Sequence, residues 1–173
     1  LVKRIGIKIV IAYFIVLVAL SFGGCYGQGA CAPPFGAYTV QGIEYLTPVS
    51  SSTMEYFLEK NKGAVFDFSE DEFDILASGH RSASISSRSF SDVSYEEVSL
   101  GKALSLTDVD SKDIDLSGFK SRKAFLVFSN DADTGYTIYL LDKEVWISHI
   151  NTNGNNLMTE YLLKLESDKQ KTQ

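Results

Sequence analysis

The chain has 173 residues, 45% of them hydrophobic and 22% charged, with 16 basic and 22 acidic side chains and only two cysteines. Such a composition belongs to a chain that folds, and the length suits one domain. A net charge of −6 at pH 7, with no Lys/Arg cluster past the N-terminus, argues against a nucleic-acid partner because a negative surface repels phosphate backbones.

The N-terminus carries an export pattern. Lys3, Arg4 and Lys8 form a basic start, residues 9–20 run without a charge, and Ser21-Phe22-Gly23-Gly24-Cys25 follows with small residues. Basic, apolar and small-residue regions in that order read as a secretory signal peptide, expected over 1–24. The uncharged stretch 9–24 falls short of the roughly 20 residues that span a bilayer. Gly23, Gly24 and Cys25 resemble the lipobox of bacterial lipoproteins, which implies acylation of Cys25 and a chain held at the membrane of the cell envelope. Cleavage after Ser21 or Gly23, giving a secreted or periplasmic protein, is the alternative. Without residues 1–24 the chain keeps 13 basic and 22 acidic residues, a charge of −9. Cys31 lies six residues beyond Cys25, so the two either close a small ring or leave Cys31 unpaired when Cys25 carries lipid.

Residues 25–37 hold Gly and Pro33-Pro34 and are expected to form a flexible tether. A strand begins near Tyr38. Gly42 shifts its phase, as at a bulge, and Pro48 ends it. Ser52-Thr53-Met54-Glu55 fits a capping box, with Ser52 as the cap, so a short helix is expected over 53–62 with Gly63 as its stop. Residues 64–68 and 72–76 alternate as a hairpin, placing Phe66, Phe68, Phe73 and Ile75 on one side and Asp67 and Asp74 in water. The Ser-rich stretch 78–94 has little to bury and is expected to be mobile, with a short edge strand near Ala83 and Ile85. Tyr95, Val98 and Leu100 resume a weak pattern, and 107–123 reads as a long loop interrupted by Ile114, Leu116 and Phe119.

The last third carries three β-rich runs, 124–128, 136–141 and 145–150, separated by turn residues 130–135 and 142–143. A fourth run, 157–165, favours a strand over a helix capped by Asn156. Residues 167–173 are expected to be a disordered tail. The expected fold is mainly β: one domain over 38–166, an antiparallel meander closing into a small barrel or strongly curled sheet.

The Phe66-x-Phe68 and Phe73-x-Ile75 hairpin, the strand pair from Tyr136 to Ile150 and the closing run 161–165 together resemble small bacterial lipocalin-like lipoproteins. That resemblance implies a barrel with an inner cavity or a partner-binding rim, and no catalysis.

Residue spacing offers no chemistry of its own. Asp108, Asp110, Asp113 and Asp115 lack the spacing of a calcium loop, with Lys112 where a ligand belongs and no closing Glu. Asp131-x-Asp133-x-Gly135 reads as a turn. Two cysteines and the distant His80 and His149 do not make a zinc set. His149 reads as a packed strand residue near Trp146, and His80 as an exposed loop residue. No serine sits in a Gly-x-Ser-x-Gly elbow. No catalytic residue, metal or cofactor is therefore expected, with a hydrolase as the minor alternative. Trp146, Tyr136, Ile138 and Tyr161 are the candidate ligand-facing residues.

The expectation is an exported, lipid-anchored, non-enzymatic β-domain that binds a small apolar ligand or an envelope component. The alternative is an acidic inhibitor or immunity protein that blocks a protein partner. A hollow interior favours the first and a filled interior with an acidic rim the second.

Overall fold

The computed structural model describes residues 32–48, 50–106, 109, 113–151 and 158–167. The expected signal peptide, Cys25 and Cys31, most of the tether, Asp108, Asp110, Leu157 and the tail beyond Ser167 lie outside the described residues.

Among the described residues nine strands and two short helices follow one another: β1 (Gly36–Leu46), α1 (Met54–Asn61), β2 (Val65–Phe68), β3 (Glu72–Leu76), β4 (Arg88–Ser91), β5 (Val93–Val98), α2 (Leu100–Leu106), β6 (Arg122–Ser129), β7 (Ala132–Leu141), β8 (Glu144–Asn151) and β9 (Met158–Ser167). All pairings are antiparallel, in the order β4-β3-β2-β1-β9-β8-β7-β6-β5. The two edges, β4 and β5, are consecutive in the chain with only Asp92 between them. A Cα step covers about 3.8 Å, so one residue can bridge the two edges only if the sheet has curled almost into a barrel. Asp92 turns the chain with a positive φ of 50°. Hydrogen bonds stitch the crossing: Ser129 Oγ to the Ser91 carbonyl at 2.8 Å, Asn130 N to the Asp92 carbonyl at 3.2 Å and Val93 N to the Asp71 carbonyl at 3.0 Å.

The interior is filled. Phe66, Phe68, Phe73 and Phe125 are all but inaccessible, with Ile75, Ile138, Ile147, Leu163 and Val127 around them. Phe73 sits at the centre, stacked on Phe68 at 5.1 Å and Phe90 at 5.4 Å and edge-on to Tyr136 at 5.2 Å. Burying one such ring stabilises by about 1.5–3 kcal/mol, so this aromatic column is a large part of the driving force. The opposite face of β6–β9 is also covered, by α2, Val109 and residues 113–119, with Ala103, Val109, Ile114, Leu141, Trp146 and Leu162 buried between. The central strands β7 and β8 are apolar on both sides for that reason.

Local elements match the sequence reading with instructive departures. The phase slip at Gly42 is a bulge between Val40 and Gly42, and a second shift between Ile43 and Tyr45 turns Tyr45 to the outer face. The helix forms, but Thr53 caps it instead of Ser52, accepting from Tyr56 N at 3.2 Å. Thr53 has the extended backbone that a cap needs. Gly63 supplies the expected left-handed stop, φ 91°. The Ser-rich stretch is tied down: Asn61, buried on α1, accepts from the amides of Ser84 and Ile85 at 3.0 and 2.9 Å. Its strand lies at 88–91, past the expected position at Ala83 and Ile85. The expected turn over 130–135 shrinks to Asn130-Asp131, both with positive φ, while Asp133 and Gly135 belong to β7. The helix at 100–106 was not legible in the sequence. The last run is a strand, and the tether ends two residues early, since β1 starts at Gly36.

Candidate functional site

Three antiparallel strands place Tyr136, His149 and Tyr161 side by side at the barrel end that carries α1, here the upper end. Register sets Tyr136 opposite His149 and His149 opposite Tyr161. The His149 ring stacks on Tyr136 at 4.4 Å and tilts against Tyr161 at 5.7 Å. Phe57 of α1 closes over Tyr161 at 5.6 Å. Ile138 lies deeper in the same interior row, fully buried.

A bulge adds the polar partner. His149 pairs with Tyr161 and Ile150 with Thr159, so Glu160 is the extra residue. Its carboxylate accepts from His149 Nδ1 at 2.8 Å and from Asn151 Nδ2 at 2.7 Å. Burial holds His149 below its ordinary pKa; the Glu160 hydrogen bond and charge pull upward, and the Arg88 charge adds to the lowering. Burial dominates and keeps the imidazole neutral. Burial likewise raises Tyr136, which hydrogen-bonds Tyr161, and pushes Tyr161 well above the usual phenol value. These phenols are donors and packing surfaces, not bases.

The other side of the imidazole abuts the backbone. A Cβ on Gly135 would stand 3.7 Å from His149 Nε2 and 2.7 Å from the Ile150 carbonyl, and Gly135 has φ 77°. Glycine is the residue that this approach permits. Above the row opens a cleft of about 340 Å³, lined by Thr47, Ser51, Phe57, Ser84, Glu160 and Tyr161 among others. Thr47 Oγ1 is buried there without a hydrogen-bond partner.

The structure divides the four candidates from the sequence. Tyr136, Ile138 and Tyr161 meet inside the barrel. Trp146 does not join them: it faces the outer layer, edge-on to Phe119 at 5.7 Å, with Nε1 donating to Glu144 at 3.0 Å. Its neighbour across the strands is Tyr139. His149 is the packed strand residue that was expected, though its companions are the two tyrosines. Glu160, Asn151 and Arg88 were missed, because a bulge leaves no mark on residue alternation. Asp115 accepts from Ser117 N and Oγ in a local turn. Among the described residues no group of three or more His, Cys, Asp or Glu side chains could hold a metal ion.

The outer surface of the β2–β3 hairpin is the second feature. Among the described residues no helix covers it as α2 covers β6–β9. Asp67 and Asp74 stand directly opposite each other on it, and Glu70, Asp71 and Glu72 follow at the turn. Like charges directly opposite across a ladder are destabilising. Residues 63–80, 89–101 and 124–142 contain no Lys or Arg, and the crossing at Asp92 gathers their turns together.

Compared with protein-family models, with curated proteins and with solved structures, the chain matches none.

Proposed function

We propose that the protein is an exported, lipid-anchored barrel that acts by binding, and that its target is a basic protein segment met on the acidic half of its outer surface. The observation that carries this reading is the pairing of a filled interior with an uncovered acidic face. Phe66, Phe68, Phe73 and Phe125 occupy the space in which a lipocalin-like barrel would hold an apolar ligand. The like-charged pair Asp67–Asp74 costs stability in the free protein, a cost that a cationic partner relieves. Complementary charge also speeds encounter and selects partners. Export and anchoring rest on residues 1–25.

A second reading has its own support. The upper cleft joins hydroxyl groups to an unsatisfied Thr47 Oγ1, which suits a small polar envelope component better than an apolar one.

Native mass spectrometry of the full chain, solubilised in detergent from its host, tests the proposal. The expected result is a co-purifying protein rich in Lys or Arg that is lost from the double variant Asp67→Lys, Asp74→Lys. A small molecule that stays with that variant, and no protein, overturns it in favour of the cleft.

A further inference from the structure

β5 ends the sheet, with β6 as its strand partner. Val93 N–H points the other way, to the Asp71 carbonyl. Backbone direction alternates along a strand, so the N–H and C=O of Tyr95 and Glu97 face that same open side. The neighbour there ends too soon: β3 starts at Glu72, and its own partner beyond β2 is β4. Beside the β2–β3 turn, the Tyr95 hydroxyl reaches across the gap and donates to the Ser69 carbonyl at 2.9 Å. Among the described residues no backbone group pairs with Tyr95 or Glu97 on that side.

Edge strands are usually guarded by charged side chains, but here the guards lean away. Glu97 pairs with Lys123 at 3.0 Å, on the β6 side, and Glu96 with Lys102 of α2 at 3.1 Å. Beside the edge, Phe35 packs edge-on against the Tyr95 ring at 5.8 Å and remains 38% exposed. The surrounding turns bring Glu70, Asp71, Asp92 and Asp131.

We infer that β5 is a docking edge, to which a partner protein adds an extended segment with Lys or Arg on one face and apolar residues on the other. Main-chain hydrogen bonds to Tyr95 and Glu97 hold the segment. Its apolar side chains meet Phe35 and Tyr95, and its cations face the acidic turns. The inference deepens the proposed protein-binding function and rests on it.

The test uses the full chain in detergent and two probes: a nonapeptide of alternating Lys and Val, and its fully N-methylated counterpart. The second keeps every charge and has no N–H. Amide exchange and chemical shifts are read by NMR at low and physiological salt. Docking predicts that the unmethylated peptide slows exchange at Tyr95 and Glu97 and binds at least roughly tenfold more tightly, the worth of one or two backbone hydrogen bonds. Equal binding of both peptides, with shifts centred on Asp67 and Asp74, removes the docking edge and leaves the acidic-face reading intact. Binding of neither peptide, even at low salt, removes both.

Discussion

His149 Nδ1 lies 2.8 Å from Glu160 Oε2, inside a barrel mouth where the imidazole stacks on Tyr136 and tilts against Tyr161. Two effects oppose each other in this pair. The carboxylate favours the imidazolium, while burial and the Arg88 charge favour the neutral ring and prevail. In the unfolded chain the ring titrates near its free value, about 6.5. The folded state therefore binds its proton only at lower pH. The stability contributed by neutral His149 is present above that unfolded value and is lost as pH falls through the folded one. Urea unfolding midpoints should fall from pH 7 to pH 5, and the fall should shrink in His149→Gln. A midpoint that rises on acidification would show that the Glu160 pairing outweighs burial.

Gly135 tests the backbone side of the same site. An added methyl would meet the Ile150 carbonyl at 2.7 Å in a left-handed conformation. Gly135→Ala is expected to destabilise by about 1–3 kcal/mol. Gly101, in α2, is the control: a methyl added there would have no neighbour within 4 Å, and Ala is neutral or stabilising. Denaturant unfolding of both variants gives the comparison. Equal effects would mean that the close approach at Gly135 is not maintained in solution.

The central ring, Phe73, is fully buried against four aromatic neighbours, Phe66, Phe68, Phe90 and Tyr136. Phe73→Ala should cost about 3–5 kcal/mol in unfolding free energy. A loss below about 1 kcal/mol would indicate a loose or hollow interior and return the small apolar ligand to first place.

Much of this architecture was legible because alternation and turns speak directly to strand pairing. Phe66-x-Phe68 and Phe73-x-Ile75 read as a hairpin with these apolar side chains on one side, and Gly42 announced its bulge. The side on which Trp146 lies was also legible and was missed. A two-residue turn at Asp142-Lys143 fixes Leu141 opposite Glu144, hence Tyr139 opposite Trp146, on the face away from Tyr136. β8 is apolar on both faces, so hydropathy alone could not separate Trp146 from its neighbours. Barrel closure through Asp92 and the bulge at Glu160 are backbone events that depend on distant strands. The capping error at Ser52 is of another kind: adjacent Ser and Thr both suit a cap, and the extended backbone at Thr53 decided between them.

Asp67 and Asp74 give the acidic face a thermodynamic signature. Asp67→Asn should stabilise the free protein by about 0.2–1 kcal/mol, with the gain shrinking as salt screens the pair. Thermal melts at low and high ionic strength measure it. A destabilised variant would mean that the two carboxylates are not in repulsion, and the proposed reason for retaining them would go.

Anchoring is tested separately. Metabolic labelling with palmitate should mark the full chain and fail in Cys25→Ser. Labelling that persists in the variant would move the lipid elsewhere or refute the anchor.

The most direct test of the account is a hydrogen-exchange footprint of the full chain in its own envelope membranes, compared with the purified protein. Protection confined to the outer β2–β3 hairpin and to Tyr95 and Glu97 of β5 is the predicted result. Protection at the upper cleft around Ser51 and Phe57, with the acidic half unchanged, would contradict it.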